Sequence, residues 1–344
     1  MKKIVFPLLI TVLILVTACT KNNSKPLQVD SFAMGTIISL KIYGENSQKT
    51  ANEVIEKIKY LEKLFTINAP GGDINKLNEN AGKGYVKLNP ETIATIKEAL
   101  KKSVISNGAF DITVGSIVKL WEIGTEKARI PSENEINKLL GLVNYRNVHI
   151  DEKNNCASLE KTGQIIDLGG YAKGYAGEAA KEICKKNGIS SACLNLGGNV
   201  IAIGNRPDKN PWNIGIQNPR AKTGNYIGIV KVSDKAVATS GDYQRCFEKN
   251  GKIFHHIMDP KTGKPAKSDL MSVTIVASSA ADTDGLSTGT FVLGFDKGRN
   301  FIKQYGKAEA IFITTNKKIY VTEGLKKSFI FKDESEEFEY IEKG

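Results

Sequence analysis

The segment Gln164–Asn187, QIIDLGGYAKGYAGEAAKEICKKN, decides the fold. Its start reads as a short apolar strand that enters Asp167-Leu168-Gly169-Gly170. A helix is expected from about Ala172 to Asn187, stopped by Gly188. Paired glycines between strand and helix permit positive φ and a close backbone approach. If strand and helix alternated strictly on both sides, the segment would be one unit of a doubly wound parallel sheet. They do not. Downstream, Cys193–Leu196, Val200–Ile203, Trp212–Ile216, Tyr226–Val232, Ala236–Thr239 and Ser272–Ala277 read as successive short strands with turn residues between them. Helices are expected only later, over Ala281–Leu293 and Asp296–Tyr305, followed by a hairpin from Thr315-Asn316 to Thr322.

Upstream, Val29 to Ile42 alternates as a strand pair or one long strand, broken at Met34-Gly35-Thr36. Val54, Ile55, Ile58, Leu61 and Leu64 share one face of a helix, and Pro70-Gly71-Gly72-Asp73 is a turn. Asn89 caps a second helix that has Pro90 at its first position and Ile93, Ile96 and Leu100 as its buried stripe. Ser106-Asn107-Gly108 ends it. Ser132 and Glu135 form a capping box for a short helix bearing Ile136, Leu139 and Leu140. The pattern predicts an α+β fold: one domain over residues 29–344, possibly two-lobed, with mixed sheets and flanking helices.

The chain of 344 residues is 41% hydrophobic and 25% charged, a globular composition. Its net charge of +11 comes from lysines spread along the chain, often beside Glu or Asp. No arginine-rich block or basic run with interleaved aromatics points to nucleic acid. Met1-Lys2-Lys3 followed by the apolar run Ile4–Val16 and Thr17-Ala18 reads as a signal peptide over residues 1–18. The run is too short for a permanent span of a roughly 30 Å hydrocarbon core. Leu15-Val16-Thr17-Ala18-Cys19 resembles the bacterial lipobox, which implies a lipidated Cys19, a tether over 19–28 and a position on the outer side of the cell membrane. Cys156, Cys184, Cys193 and Cys246 match no zinc or CxxC spacing, and nothing pairs them.

Three stretches carry candidate chemistry. The first is Asp167–Gly174, where a helix N-terminus offers free N–H groups to an anion and Lys173 adds charge. It is neither a Walker A loop nor GxGxxG, and a purely structural turn fits it too. The second is Ala281-Asp282-Thr283-Asp284-Gly285-Leu286-Ser287-Thr288. Asp284 and Thr288 share a helix face there, and a carboxylate with a hydroxyl suits Mg²⁺, which keeps waters and takes phosphate oxygens. An acidic residue favoured by the helix dipole is the alternative. The third is His255–Gly263, whose second half is a turn signature. His256 is a candidate base or phosphate contact, and a structural histidine before a turn is equally compatible.

In shared order with Met34-Gly35-Thr36, Gly108–Gly115, Leu120-Trp121 and Asn195-Leu196-Gly197-Gly198-Asn199, these motifs resemble the ApbE family, the FAD:protein FMN transferases, over essentially the whole mature chain. The resemblance implies an FAD cleft in an α+β domain with Mg²⁺ at the pyrophosphate. It carries FAD contacts over to Met34, Ala109, Phe110, Asp111, Asp167, Lys173 and Ile257. Side-chain metal ligands fall on Asp284 and Thr288, and a backbone carbonyl ligand on Gly170. At one position the chain departs from the family: a stacking tyrosine is replaced by Asn68. The implied reaction moves FMN from FAD to a Ser/Thr hydroxyl of an exported or membrane-associated acceptor flavoprotein and releases AMP. His256 and Asp284 would assist it. FAD hydrolysis and FAD binding without chemistry are the rival readings.

Overall fold

The computed structural model describes residues 25–342, so the expected signal peptide and Cys19 lie outside the described residues. Nine strands build the main sheet: β1 (Leu27–Ala33), β2 (Thr36–Tyr43), β3 (Ser191–Leu196), β4 (Asn199–Ile203), β5 (Lys235–Gly241), β6 (Leu270–Ala277), β7 (Ala308–Thr314), β8 (Lys318–Val321) and β9 (Glu339–Ile341). Spatial order follows chain order from β1 to β9. Neighbours are antiparallel except β8 and β9, which run parallel. Among the described residues the first strand begins at Leu27, two residues before the expected strand start at Val29.

Helices enter as insertions between strands. α1 (Ser47–Phe65), α2 (Asp73–Glu79), α3 (Pro90–Ile105), α4 (Gly115–Trp121), α5 (Glu133–Leu140) and α6 (Ala172–Lys186) all lie between β2 and β3. The last, α7 (Ala280–Tyr305), joins β6 to β7. The stripes Val54/Ile58/Leu61 and Ile93/Ile96, with Ala176 and Ala180 of α6, pack with Ile38, Leu40 and Ile42 of β2 and Leu194 of β3. Leu286, Phe291 and Ile302 of α7 cover β6 and β7 on the same principle. The opposite face of β4–β8 is closed by a three-stranded sheet formed by Trp212–Gln217, Tyr226–Val232 and Phe329–Phe331. β6 is therefore covered on both faces and all eight of its residues are buried, whereas β1 alternates.

Local chemistry accounts for the helix ends and the first turn. The Asn89 side chain accepts from the Glu91 N–H at 2.9 Å, with Pro90 as the first helical residue. Ser132 and Glu135 form the reciprocal capping box. Ala33 pairs with Thr36, leaving Met34 (φ +53°) and Gly35 (φ +67°) as a two-residue turn with both central residues left-handed.

Two expectations change. The segment Gln164–Asp167 forms no ladder, only a single bridge between Ile165 and Val114. Its polar groups are satisfied otherwise: Asn78 accepts from the Ile166 N–H and donates to the Ile166 carbonyl, and the Asp167 N–H donates to the Ile112 carbonyl. Residues 280–305 form one run rather than two separate helices, yet the expected break is real. Gly294 (φ +77°) is non-helical, and the Asp269 carboxylate accepts the Phe295 N–H at 2.8 Å, restarting the helix. The four described cysteines are all free, and burial pushes the thiols of Cys184 and Cys193 up to about 12 and about 11.

Candidate active site

A cleft of about 420 Å³ opens where the segment before α6, the first turns of α7 and the loops after β1, β3 and β5 meet. Its floor is Gly169, Gly170 and Lys173 with Asp284 and Thr288. Ala109, Phe110 and Asp111 form one wall. Gly35, Thr36, Gly197 and Asn199 form another. The remaining side is Ser240, Gln244, Arg245, His256 and Ile257. A larger cavity of about 540 Å³ lies behind α6, against Lys57, Glu91, Tyr175 and Asp282, and contains none of these floor groups. The chemistry belongs to the smaller cleft.

Asp284 is buried, 5% exposed, on the fifth residue of α7. One oxygen, Oδ2, accepts the Gly174 N–H from the first turn of α6 at 2.9 Å. Oδ1 lies 3.8 Å from the Lys173 ammonium. A helix N-terminus and a cation thus fix the position of the carboxylate at the cleft floor. The Thr288 hydroxyl, one turn later, makes only long contacts, 3.4 Å to the Asp284 carbonyl and 3.5 Å to Ser240. A Cβ added at Gly170 would lie 3.3 Å from the Thr288 oxygen. Carboxylate, hydroxyl and the Gly170 backbone therefore converge.

That donor set fits a hard cation with retained waters, and lacks the nitrogen and sulfur that zinc would want. Among the described residues no group of three or more His, Cys, Asp or Glu could hold a metal ion, so any ion here relies on oxygens of mixed type.

Asp167 accepts the Gly169 N–H at 2.8 Å and lines the cleft. Burial raises its pKa, opposed by that N–H and by Lys173, Lys119 and Arg245. His256 sits opposite. Its Nδ1 faces the Arg245 carbonyl at 3.3 Å, an oxygen that can only accept, so Nδ1 carries the proton and Nε2 keeps its lone pair. Burial first, then the charges of Arg245 and Lys173, push its pKa down to about 4.

Other expected contacts sit differently. Asp111 is fully engaged: Oδ1 accepts from the Thr113 N–H and hydroxyl, and Oδ2 from the Tyr145 N–H. It shapes the 109–114 loop, leaving Ala109 and the Phe110 ring to face the cleft. Burial raises its pKa. The Met34 side chain packs against the larger apolar core, while its neighbours Gly35 and Thr36 line the cleft. Asn68 is exposed, its N–H donates to the Thr66 hydroxyl, and it does not line the cleft. Phe110 is the aromatic hydrocarbon ring that lines the cleft among the described residues.

Sequence reasoning missed Ser240, Gln244 and Arg245. The Arg245 stem lies on Gly124, its guanidinium comes within 3.7 Å of a Cβ placed on Gly35, and it pairs with no carboxylate among the described residues. Nothing local marks these residues, because the loop after β5 reaches the site only through the sheet. Asn199 stood in a quoted motif. Its buried amide nitrogen has no partner and its side chain lines the cleft.

Comparison with known proteins identifies the family. The ApbE family pattern matches residues 34–312. A Klebsiella pneumoniae protein named FAD:protein FMN transferase is 33% identical over 301 residues, covering 88% of this chain and 93% of its own. A Treponema pallidum protein of the same name is 30% identical over 85% of each chain. The crystal structure of an ApbE protein from Thermotoga maritima superposes with a TM-score of 0.81 at 34% identity, covering 87% of this chain and 98% of that one. Matched from the β1–β2 turn to β7, the chain belongs to the ApbE family.

Proposed function

We propose that the protein transfers the FMN moiety of FAD to a Ser or Thr hydroxyl of an exported or membrane-associated acceptor protein, releasing AMP. Family membership and the names of its relatives support the flavin transfer. The observation that carries the chemistry is the meeting of Asp284, Thr288, Gly170 and Lys173 across the cleft from a neutral His256.

In this reading the acceptor oxygen forms a bond to the FMN-side phosphorus, and the bond from that phosphorus to the AMP oxygen breaks. The hydroxyl proton goes to His256 Nε2, and AMP leaves with the bridging oxygen. Asp284, Thr288 and the Gly170 carbonyl would hold Mg²⁺, which when bound neutralises charge on the pyrophosphate. Lys173 and the N–H groups at the start of α6 hold the anionic oxygens in place. Phe110 and Ile257 offer apolar surface to the rings of the substrate, and Arg245 closes the mouth with an unpaired positive charge.

We also place the protein on the outer side of the membrane through a lipidated Cys19. Among the described residues no helix is long and apolar enough to cross a membrane. Incubating the full-length protein with FAD, Mg²⁺ and candidate acceptors, then measuring acceptor mass, tests the reaction. Addition of one FMN is the expected result. Free FMN and AMP with every acceptor unmodified would establish hydrolysis instead, and intact FAD would establish binding alone.

A further inference from the structure

Among the described residues the main sheet ends at β1, with Lys25-Pro26 only at its start. Among those residues β1 pairs only with β2, so one side of a seven-residue strand presents free backbone groups. Natural sheets usually protect such an edge with lysine, proline or a bulge. The strand LQVDSFA has none of these: its one charge, Asp30, accepts from Ser39 at 2.6 Å, and the register against β2 is unbroken.

Phe32 on β1 stands directly across from Ile37 on β2, 68% and 64% exposed. They are the two most exposed large apolar side chains among the described residues. Between them in the chain lie Gly35 and Thr36, which form the cleft wall. The second sheet that covers β4–β8 does not reach this corner, so the pair stays uncovered.

We propose that this edge is the docking surface for the acceptor protein. An extended, uncharged segment of the acceptor adds to β1 as a further strand and seats an apolar side chain on Phe32 and Ile37. Its hydroxyl passes Gly35 into the cleft. The inference rests on the transfer reading and names where the partner binds.

Three observations select this occupant. The reaction needs a protein hydroxyl at the cleft, and the exposed Phe32–Ile37 pair flanks Gly35 and Thr36, which line it. The edge is close to neutral, with Asp30 tied to Ser39 and Lys41 nearby, which suits an uncharged strand better than an anionic lipid surface. The undescribed N-terminal segment joins at Leu27, the end of β1 farthest from the turn, about 17 Å from Phe32 at strand spacing. An anchor on Cys19 would be at most about 28 Å of chain away, which keeps the edge within reach of membrane-associated acceptors.

The test uses full-length protein, FAD, Mg²⁺ and membrane proteins from source cells that lack this protein, detergent-solubilised in one arm and kept in vesicles in the other, read as fluorescent bands. The variants are Phe32→Glu/Ile37→Glu and the milder Phe32→Ser/Ile37→Ser. FAD affinity, from flavin fluorescence, should stay at the wild-type value, while the initial labelling rate falls about tenfold or more in the Glu pair and less in the Ser pair. Wild-type labelling by both variants overturns the proposal. So does FAD affinity that falls in step, because the pair then belongs to the substrate pocket. A dimer in sedimentation that the variants dissociate assigns the edge to a second copy. Labelling that drops only for acceptors embedded in vesicles assigns it to the membrane. If wild type labels no band while binding FAD, the transfer reading itself fails, an outcome separate from all of these.

Discussion

The Gly174 N–H donates to Asp284 Oδ2 at 2.9 Å, across 110 residues of sequence, and the two helices touch there without a side chain between them. A Cβ on Gly174 would lie 2.6 Å from the Asp284 Cβ and 2.5 Å from the Ala280 carbonyl. Gly174→Ala must therefore push α6 and α7 apart. The expected cost is about 1–3 kcal/mol of stability. Thermal unfolding measures it, and a fall in FMN transfer should accompany it because the carboxylate moves. An unchanged melting temperature would show that the helices separate without strain.

Asp284 has two separable roles. Asp284→Asn keeps an oxygen for the Gly174 N–H but removes the charge, so stability should hold while Mg²⁺-dependent transfer falls about a hundredfold or more. Asp284→Ala also strands a buried N–H, adding about 1–3 kcal/mol of destabilisation. Parallel melting curves and rate measurements distinguish the two. Full activity in the Asn variant would remove Asp284 from the metal site.

His256 is held neutral by burial and by two cations, with a pKa pushed down to about 4. Its contribution to kcat/KM should be flat around neutrality and decline only as pH approaches about 4. Arg245→Met removes one of those cations, so the acid limb should move to higher pH; an unmoved limb would separate the base from His256. Stability has a definite sign here. Between about 6.5 and about 4 the unfolded chain takes up the proton that the native chain refuses, so this histidine costs stability as pH falls through that window.

Cysteine reactivity follows burial. Cys246 is exposed, whereas Cys184 and Cys193 hold thiols raised to about 12 and about 11. Native-state alkylation followed by peptide mass analysis should modify Cys246 first and leave Cys184 untouched until unfolding.

Much of the scaffold was legible because its signals are local. The Asn89–Pro90 start and the Ser132/Glu135 box are short-range hydrogen-bond patterns, and the α1 and α3 stripes follow helical spacing. Gln164–Asp167 misled because apolarity marks burial, while a ladder also needs a free partner edge; Asn78, far away in sequence, took that place. At the site, Asp284 and Thr288 could be paired from their spacing on one helix. Arg245 could not, since only the sheet brings the loop after β5 beside Gly35. Asp111 illustrates the converse: a motif position at the cleft whose carboxylate is consumed in holding its own loop.

Because the main sheet is laid down in chain order, a ribosome releasing this polypeptide exposes each strand just before its neighbour is needed. The scaffold can grow by addition, one edge at a time. The chemistry cannot. Gly174 emerges early and waits for Asp284, and Thr288 comes later still, so an unfinished chain has one wall of the cleft without the carboxylate and hydroxyl of its floor. Synthesis itself thus acts as a timer, leaving the catalyst inert until α7 is complete.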